Sequence, residues 1–195
     1  MEQQTVPQTK AELLECVALE TARMSYPGSM SRGTRPVVKG DTKASLEKYF
    51  VLRFPMATVW DSARGIKKHY ESWHRERTRE VSASIRSLVV PGRVPMAVAA
   101  KFLDTFMHQL MKYEPCRPLW PVLHLPLDRR VFSALSRMKL QSLSGLRCYL
   151  SASPYDLLYS AHAEIQARLW KVIAELNASA EFKLQSRVEL NWLWL

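Results

Sequence analysis

The chain has 195 residues, 47% of them hydrophobic and 24% charged, with 28 Lys and Arg against 18 Asp and Glu and a formal net charge of +10. That balance excludes a disordered chain, and only 6 Gly and 11 Pro exclude fibrous and low-complexity classes. The length suits one domain able to bury a core without disulfides or a metal staple.

Hydrophobic spacing predicts helices almost throughout. Residues 10–23 carry Leu13, Leu14, Val17, Ala18 and Ala22 on one face. Residues 24–41, rich in Gly, Pro and Ser, read as a loop. A helix over 43–51 follows, Pro55 marks a junction, and 56–80 reads as one long charged helix bearing Trp60, Ile66, Tyr70 and Trp73. A shorter helix at 81–89 ends at Pro91-Gly92, and Pro95 opens another that runs to about Tyr113. Four prolines within residues 115–126 rule out a single long helix there. Helical spacing resumes over 127–138, residues 142–151 read as a short strand or a loop, and Ser153-Pro154 opens a helix to about Leu176. The tail beyond Ser186, with Leu190, Trp192, Leu193 and Trp194, is apolar enough to dock on the body. The expectation is an all-α, two-lobed helical protein over residues 1–195.

Cys16, Cys116 and Cys148 are widely spaced, which points to reduced thiols and a cytoplasmic setting. The amino-terminal segment lacks the apolar stretch of a signal peptide, and no run approaches the roughly 20 apolar residues of a membrane span. No metal or cofactor is expected; a Cys116–His124 pair has no second ligand pair at a usual spacing.

The positive charge is concentrated. Residues 64–93 hold eight basic residues against three acidic ones, and residues 112–147 hold seven against two. Such clusters suit a polyanion, usually nucleic acid, although a charge run is as often a solvated helix face.

Overlapping both clusters, Val90-Pro91-Gly92 followed by Ala97 to Ala100, and then Leu125-Pro126-Leu127-Asp128 with Val131, resemble the helix-hairpin-helix DNA glycosylase superfamily. The likeness covers about fifty residues, with the hairpin region at 82–113 and the acidic motif at 125–131. It implies that the turn at Pro91, Gly92 and Arg93, with Arg129 and Arg130, holds double-stranded DNA containing a modified base. It also implies that the base is flipped out and that Asp128 stabilises the cationic sugar while the N-glycosidic bond is hydrolysed. Damage repair and removal of hypermodified phage bases both fit. Asp128, following an extended proline segment and preceding a helix, is equally suited to an N-cap, and the two roles are compatible.

Two departures from the family pattern matter. Gly92-Arg93-Val94-Pro95 replaces the usual Gly-x-Gly, and Pro95 lacks one N–H donor, so Arg93 is expected to carry the phosphate contact. No lysine directly follows the turn; Lys101 is the nearest, so a monofunctional glycosylase is expected, with Lys101 the one residue that could add strand cleavage. The four cysteines of the iron–sulfur members are absent. Tyr70, Trp73, His74, Trp120 and His124, with Trp192 or Trp194, are the candidates to line a base pocket. The expected oligomeric state is a monomer. The alternatives are a non-catalytic helical DNA-binding protein, or a protein-interaction module using the aromatic tail.

Overall fold

The computed structural model describes residues 7–29, 37–39, 41–179 and 182–193. They form an all-α protein of eight α-helices joined by 3-10 turns: α1 (Lys10–Ser29), α2 (Thr42–Leu52), α3 (Met56–Lys67), α4 (Tyr70–Ile85), α5 (Pro95–Leu110), α6 (Arg129–Arg137), α7 (Arg147–Leu150) and α8 (Tyr159–Ala178). Among the described residues, extended pairing is confined to one antiparallel bridge, Val38 with Val89. None of the described helices is long and apolar enough to cross a membrane.

Helix α5 is the axis of the fold. Pro95 occupies its first turn, where a missing N–H costs nothing. Nearly every later side chain is buried, because α1, α4 and α8 surround it. Phe106 stacks on Phe50 of α2 with ring centroids 3.8 Å apart, and Phe54 meets both rings edge-on. Each fully buried ring of this kind contributes roughly 2–3 kcal/mol of hydrophobic stabilisation.

Two cores result. The larger joins α1 to α5 with the proline-rich segment as far as Leu123. The smaller begins at Leu125 and joins α6, α7 and α8. His124 lies at the boundary between them. The cores are interlocked, since Tyr155 and Val188 return to the first core from beyond the start of the second, and Leu190 closes the second.

Several boundaries differ from expectation. Helix α1 continues to Ser29, past the predicted end near residue 23, and Tyr26 stacks on Phe102 at 6.2 Å. The predicted long helix over 56–80 is kinked at Ser62 and broken at His69, whose φ of −135° and ψ of 32° are non-helical. The low helix propensity of Gly65 and β-branched Ile66 weakens the junction, and burial of both Ile66 and Tyr70 decides the bend. No separate helix covers 81–89; α4 runs on to Ile85 and tightens into a 3-10 turn at Arg86–Leu88. Residues 115–126 form 3-10 structure over Glu114–Val122, and 142–151 form 3-10 and α-helical turns rather than a strand. Ser153 makes no side-chain cap, and the last long helix starts at Tyr159 after a 3-10 turn at Pro154–Asp156.

Candidate functional site

The turn expected at Pro91-Gly92 is present. Arg93 N–H donates to Val90 O at 3.2 Å, and Gly92 has φ +82°. Proline second and a left-handed glycine third are the signature of a type II turn. Pro91 and Gly92 are exposed. The turn is anchored on both sides: Val90 N–H donates to Val37 O at 3.0 Å, and Val94 N–H donates to Tyr155 O at 2.8 Å. Arg93, expected on a phosphate, instead points its guanidinium at Asp156, with Nη1 2.7 and 2.8 Å from the two carboxylate oxygens and 3.3 Å from Ser153 Oγ. That pairing offsets its charge locally.

Asp128 caps α6. Its Oδ1 accepts from Arg130 N–H at 2.8 Å and Val131 N–H at 2.9 Å, satisfying two of the donors a helix start leaves unpaired. Its other oxygen, Oδ2, lies 3.7 Å from Lys101 Nζ, which reaches it from the middle of α5. Lys101 also donates to Tyr155 OH at 2.9 Å and sits over that ring, 5.3 Å from its centroid. The lysine side chain is 4% exposed and that of Asp128 17%, so the pair is partly open at its carboxylate end. Arg129 and Arg130, directly after the cap, are exposed.

Of the candidates for a base pocket, Tyr70, Trp73, His74 and His124 lie side by side in the interior, and Trp120 stands apart from them. Tyr70 and Trp73 are 3% and 8% exposed and belong to the larger core, so neither offers an open ring face to a base. Both sit on the inward stripe of α4, where the fold needs bulk. Trp120 is half-buried; its Nε1–H donates to Glu189 at 2.8 Å, and its ring lines an open cleft of about 510 Å³ with His108, Met111, Lys112 and Arg117. The side chains of Trp192 and Trp194 lie outside the described residues.

His124, expected in a base pocket, is part of a buried polar cluster instead. His74 of α4, Asp104 of α5, His124 and His162 of α8 meet where the two cores join, each 4% exposed or less. His74 Nε2 lies 2.7 Å from Asp104 Oδ1, and His74 Nδ1 is 2.8 Å from Tyr159 OH. His124 Nε2 lies 2.7 Å from Glu71 Oε2, while its Nδ1 is 3.4 Å from His162 Nε2. Burial pushes His74 down to about 3 and His162 down to about 4, and holds His124 well below the ordinary histidine value. Burial also raises Asp104 to about 7. With both ring nitrogens of His124 engaged here, no Cys116–His124 pair forms; Cys116 is buried in the larger core, its thiol pushed up to about 11 by desolvation.

Arg187 closes the cluster from the carboxy-terminal segment. It is 1% exposed and donates to Leu123 O at 3.1 Å, to Gln166 O at 3.3 Å, to Val122 O, and to Glu71 Oε1 at 3.2 Å. Gln166 brackets the Leu125 peptide, accepting its N–H at 3.0 Å and donating to its carbonyl at 2.7 Å. Asp104, His162, Gln166 and Arg187 were not singled out from the sequence. Their signal was available: Asp104 interrupts an apolar helix, and His162 shares the inward stripe of Ile165, Leu169 and Ile173.

Comparison with known proteins gives no match to any family model, curated protein or solved structure.

Proposed function

We propose that the chain is a DNA N-glycosylase that hydrolyses the bond between a flipped modified base and its sugar, leaving an abasic site. The observation that carries this reading is the meeting of Asp128 and Lys101, 27 residues apart in sequence, at 3.7 Å beside two exposed arginines. Because Oδ1 is fixed by the cap, Oδ2 is held in one place without further ordering. A fixed carboxylate of this kind suits a reaction whose transition state carries positive charge on the sugar ring.

In the proposed step, the bond from C1′ to the base nitrogen breaks and its electron pair leaves on the base, which takes up a proton from solvent, balanced when Asp128 later returns the water proton to solvent. Water oxygen bonds to C1′, and Asp128 Oδ2 accepts the water proton. A unit charge about 4 Å from the sugar at an effective dielectric of about 20 contributes at most on the order of 4 kcal/mol, up to roughly a thousandfold in rate, and the Lys101 ammonium 3.7 Å away offsets part of it. Lys101 orients the carboxylate, and its engagement with Tyr155 supports a monofunctional enzyme over one that also cuts the strand. Damage repair and excision of hypermodified bases are both compatible with these residues.

The test is incubation with duplex DNA carrying oxidised, alkylated or hypermodified bases, with free bases read by mass spectrometry. Release of one base class, leaving alkali-labile sites, is expected; release from none of these DNAs overturns the reading. A second reading, a non-catalytic helical DNA-binding protein, is favoured by the cap itself, which gives Asp128 a structural role that needs no substrate. It expects salt-dependent DNA binding with no base released.

A further inference from the structure

We propose that His74, Asp104, His124 and His162 form a binding site for one divalent transition-metal ion, zinc foremost, at the junction of the two cores. The sequence places these residues on four different segments, yet the fold brings their donor atoms to one point. The facing atoms of His74, Asp104 and His124 all lie within 4.8 Å of one another. His162 Nε2 joins them at 3.4 Å from His124 Nδ1 and 3.7 Å from Asp104 Oδ2, and His124 Nδ1 lies 3.8 Å from Asp104 Oδ1. Tetrahedral zinc with bonds of about 2.0–2.1 Å sets its ligand atoms about 3.4 Å apart, so the separations of 3.4 to 3.8 Å need little adjustment, while the 2.7 Å contact of His74 Nε2 with Asp104 Oδ1 has to open to admit the ion.

A hydrogen-bonded network alone leaves the site unsatisfied. Asp104 Oδ2 is buried with no hydrogen-bond partner and is directed among the imidazoles. An orphaned buried acceptor is costly, and one cation between the rings and the carboxylate removes that cost. Imidazole nitrogen with carboxylate oxygen is a donor set that suits zinc and its neighbours in the transition series.

The outer contacts have the form expected around a metal. His124 can donate Nε2–H to Glu71 at 2.7 Å, which leaves Nδ1 inward as a lone-pair donor. His74 can donate Nδ1–H to Tyr159 OH at 2.8 Å, leaving Nε2 inward. Such partners fix ring orientation and tautomer at metal-binding histidines. Four protein ligands and no exposed position describe a structural ion rather than a catalytic one.

The 195-residue chain, stripped with a chelator and titrated with Zn²⁺ and then Co²⁺, tests this. Binding of about one ion per chain is expected, with a raised thermal midpoint and, for Co²⁺, the intense visible bands of a tetrahedral complex. Glu71→Gln, at the exposed edge of the cluster, is expected to weaken zinc binding by about 10–100-fold while the protein stays folded. His162→Gln is expected to change the Co²⁺ spectrum. No stoichiometric binding by the folded wild-type chain overturns the proposal, as does binding unchanged in both variants. If a variant fails to fold, the wild-type titration decides alone.

Discussion

Arg187 is buried more completely than almost any other charged side chain described, and its guanidinium satisfies carbonyls from the proline-rich segment and from α8 at once. Arg187→Ala would leave those acceptors unpaired where water cannot replace the donor, so a loss of about 3 kcal/mol or more is expected from urea unfolding. Glu71→Gln, which leaves the carbonyl contacts intact, is expected to cost much less. The cluster beside it also sets a pH dependence in metal-free protein. His74 and His162 are held near 3 and 4, below their unfolded value of 6.5, so the unfolded chain binds more protons and stability falls as pH drops from about 6.5 towards 4. His124 acts in the same direction. Asp104, raised to about 7, opposes this over the same range with one proton against at least two. On balance the unfolded chain takes up more protons, so the net effect is a loss of stability as the pH falls. Glu71, Arg187, Tyr70 and Tyr159 also face the cluster. Thermal midpoints that stay flat between pH 6.5 and 4 contradict this. Residue types alone did not reveal the cluster, because a single buried histidine is usually core, and only the crossing of α4 and α8 with the segment between the two cores makes His74, His162 and His124 one group.

At the scale of elements, local chemistry was legible wherever it was strong. Pro95 opening α5, the Pro91-Gly92 turn and the Asp128 cap all lie where turn and cap rules put them. Boundaries decided by burial were not. Nothing local to His69 forces a helix break; the need to bury Ile66 and Tyr70 together does. The cap offers a separable test. Asp128→Ala removes both bonds to the first turn of α6 together with the Lys101 contact, while Asp128→Asn keeps an accepting oxygen for the cap and gives up only the charge facing Lys101, so the alanine variant is expected to be the less stable by about 1 kcal/mol. Equal destabilisation by the two variants in urea unfolding would show that the charge, rather than the hydrogen bonds, holds the helix start.

For the whole molecule, the two cores are expected to unfold as one. Tyr155 and Val188 tie late chain segments into the first core, and Arg187 and Gln166 bolt the segment between the cores to both. Tryptophan fluorescence and far-UV circular dichroism are expected to report a single coincident transition; two separated transitions contradict that interlock. The net charge of +10 bears on association rather than on fold, and DNA affinity is expected to fall steeply with added salt. The all-α form was legible from periodicity. The aromatic residues expected around a flipped base were not separable from core in the same way, and Tyr70 and Trp73 serve the core.

The most direct measurement is the single-turnover rate of base release by Asp128→Asn against the wild-type chain, on DNA that both bind equally. Asparagine preserves the cap and removes the charge, so release slowed by a large factor, up to about a thousandfold, from a protein that stays folded and binds DNA as tightly is the predicted result. Equal rates for the two proteins would contradict a catalytic role for Asp128.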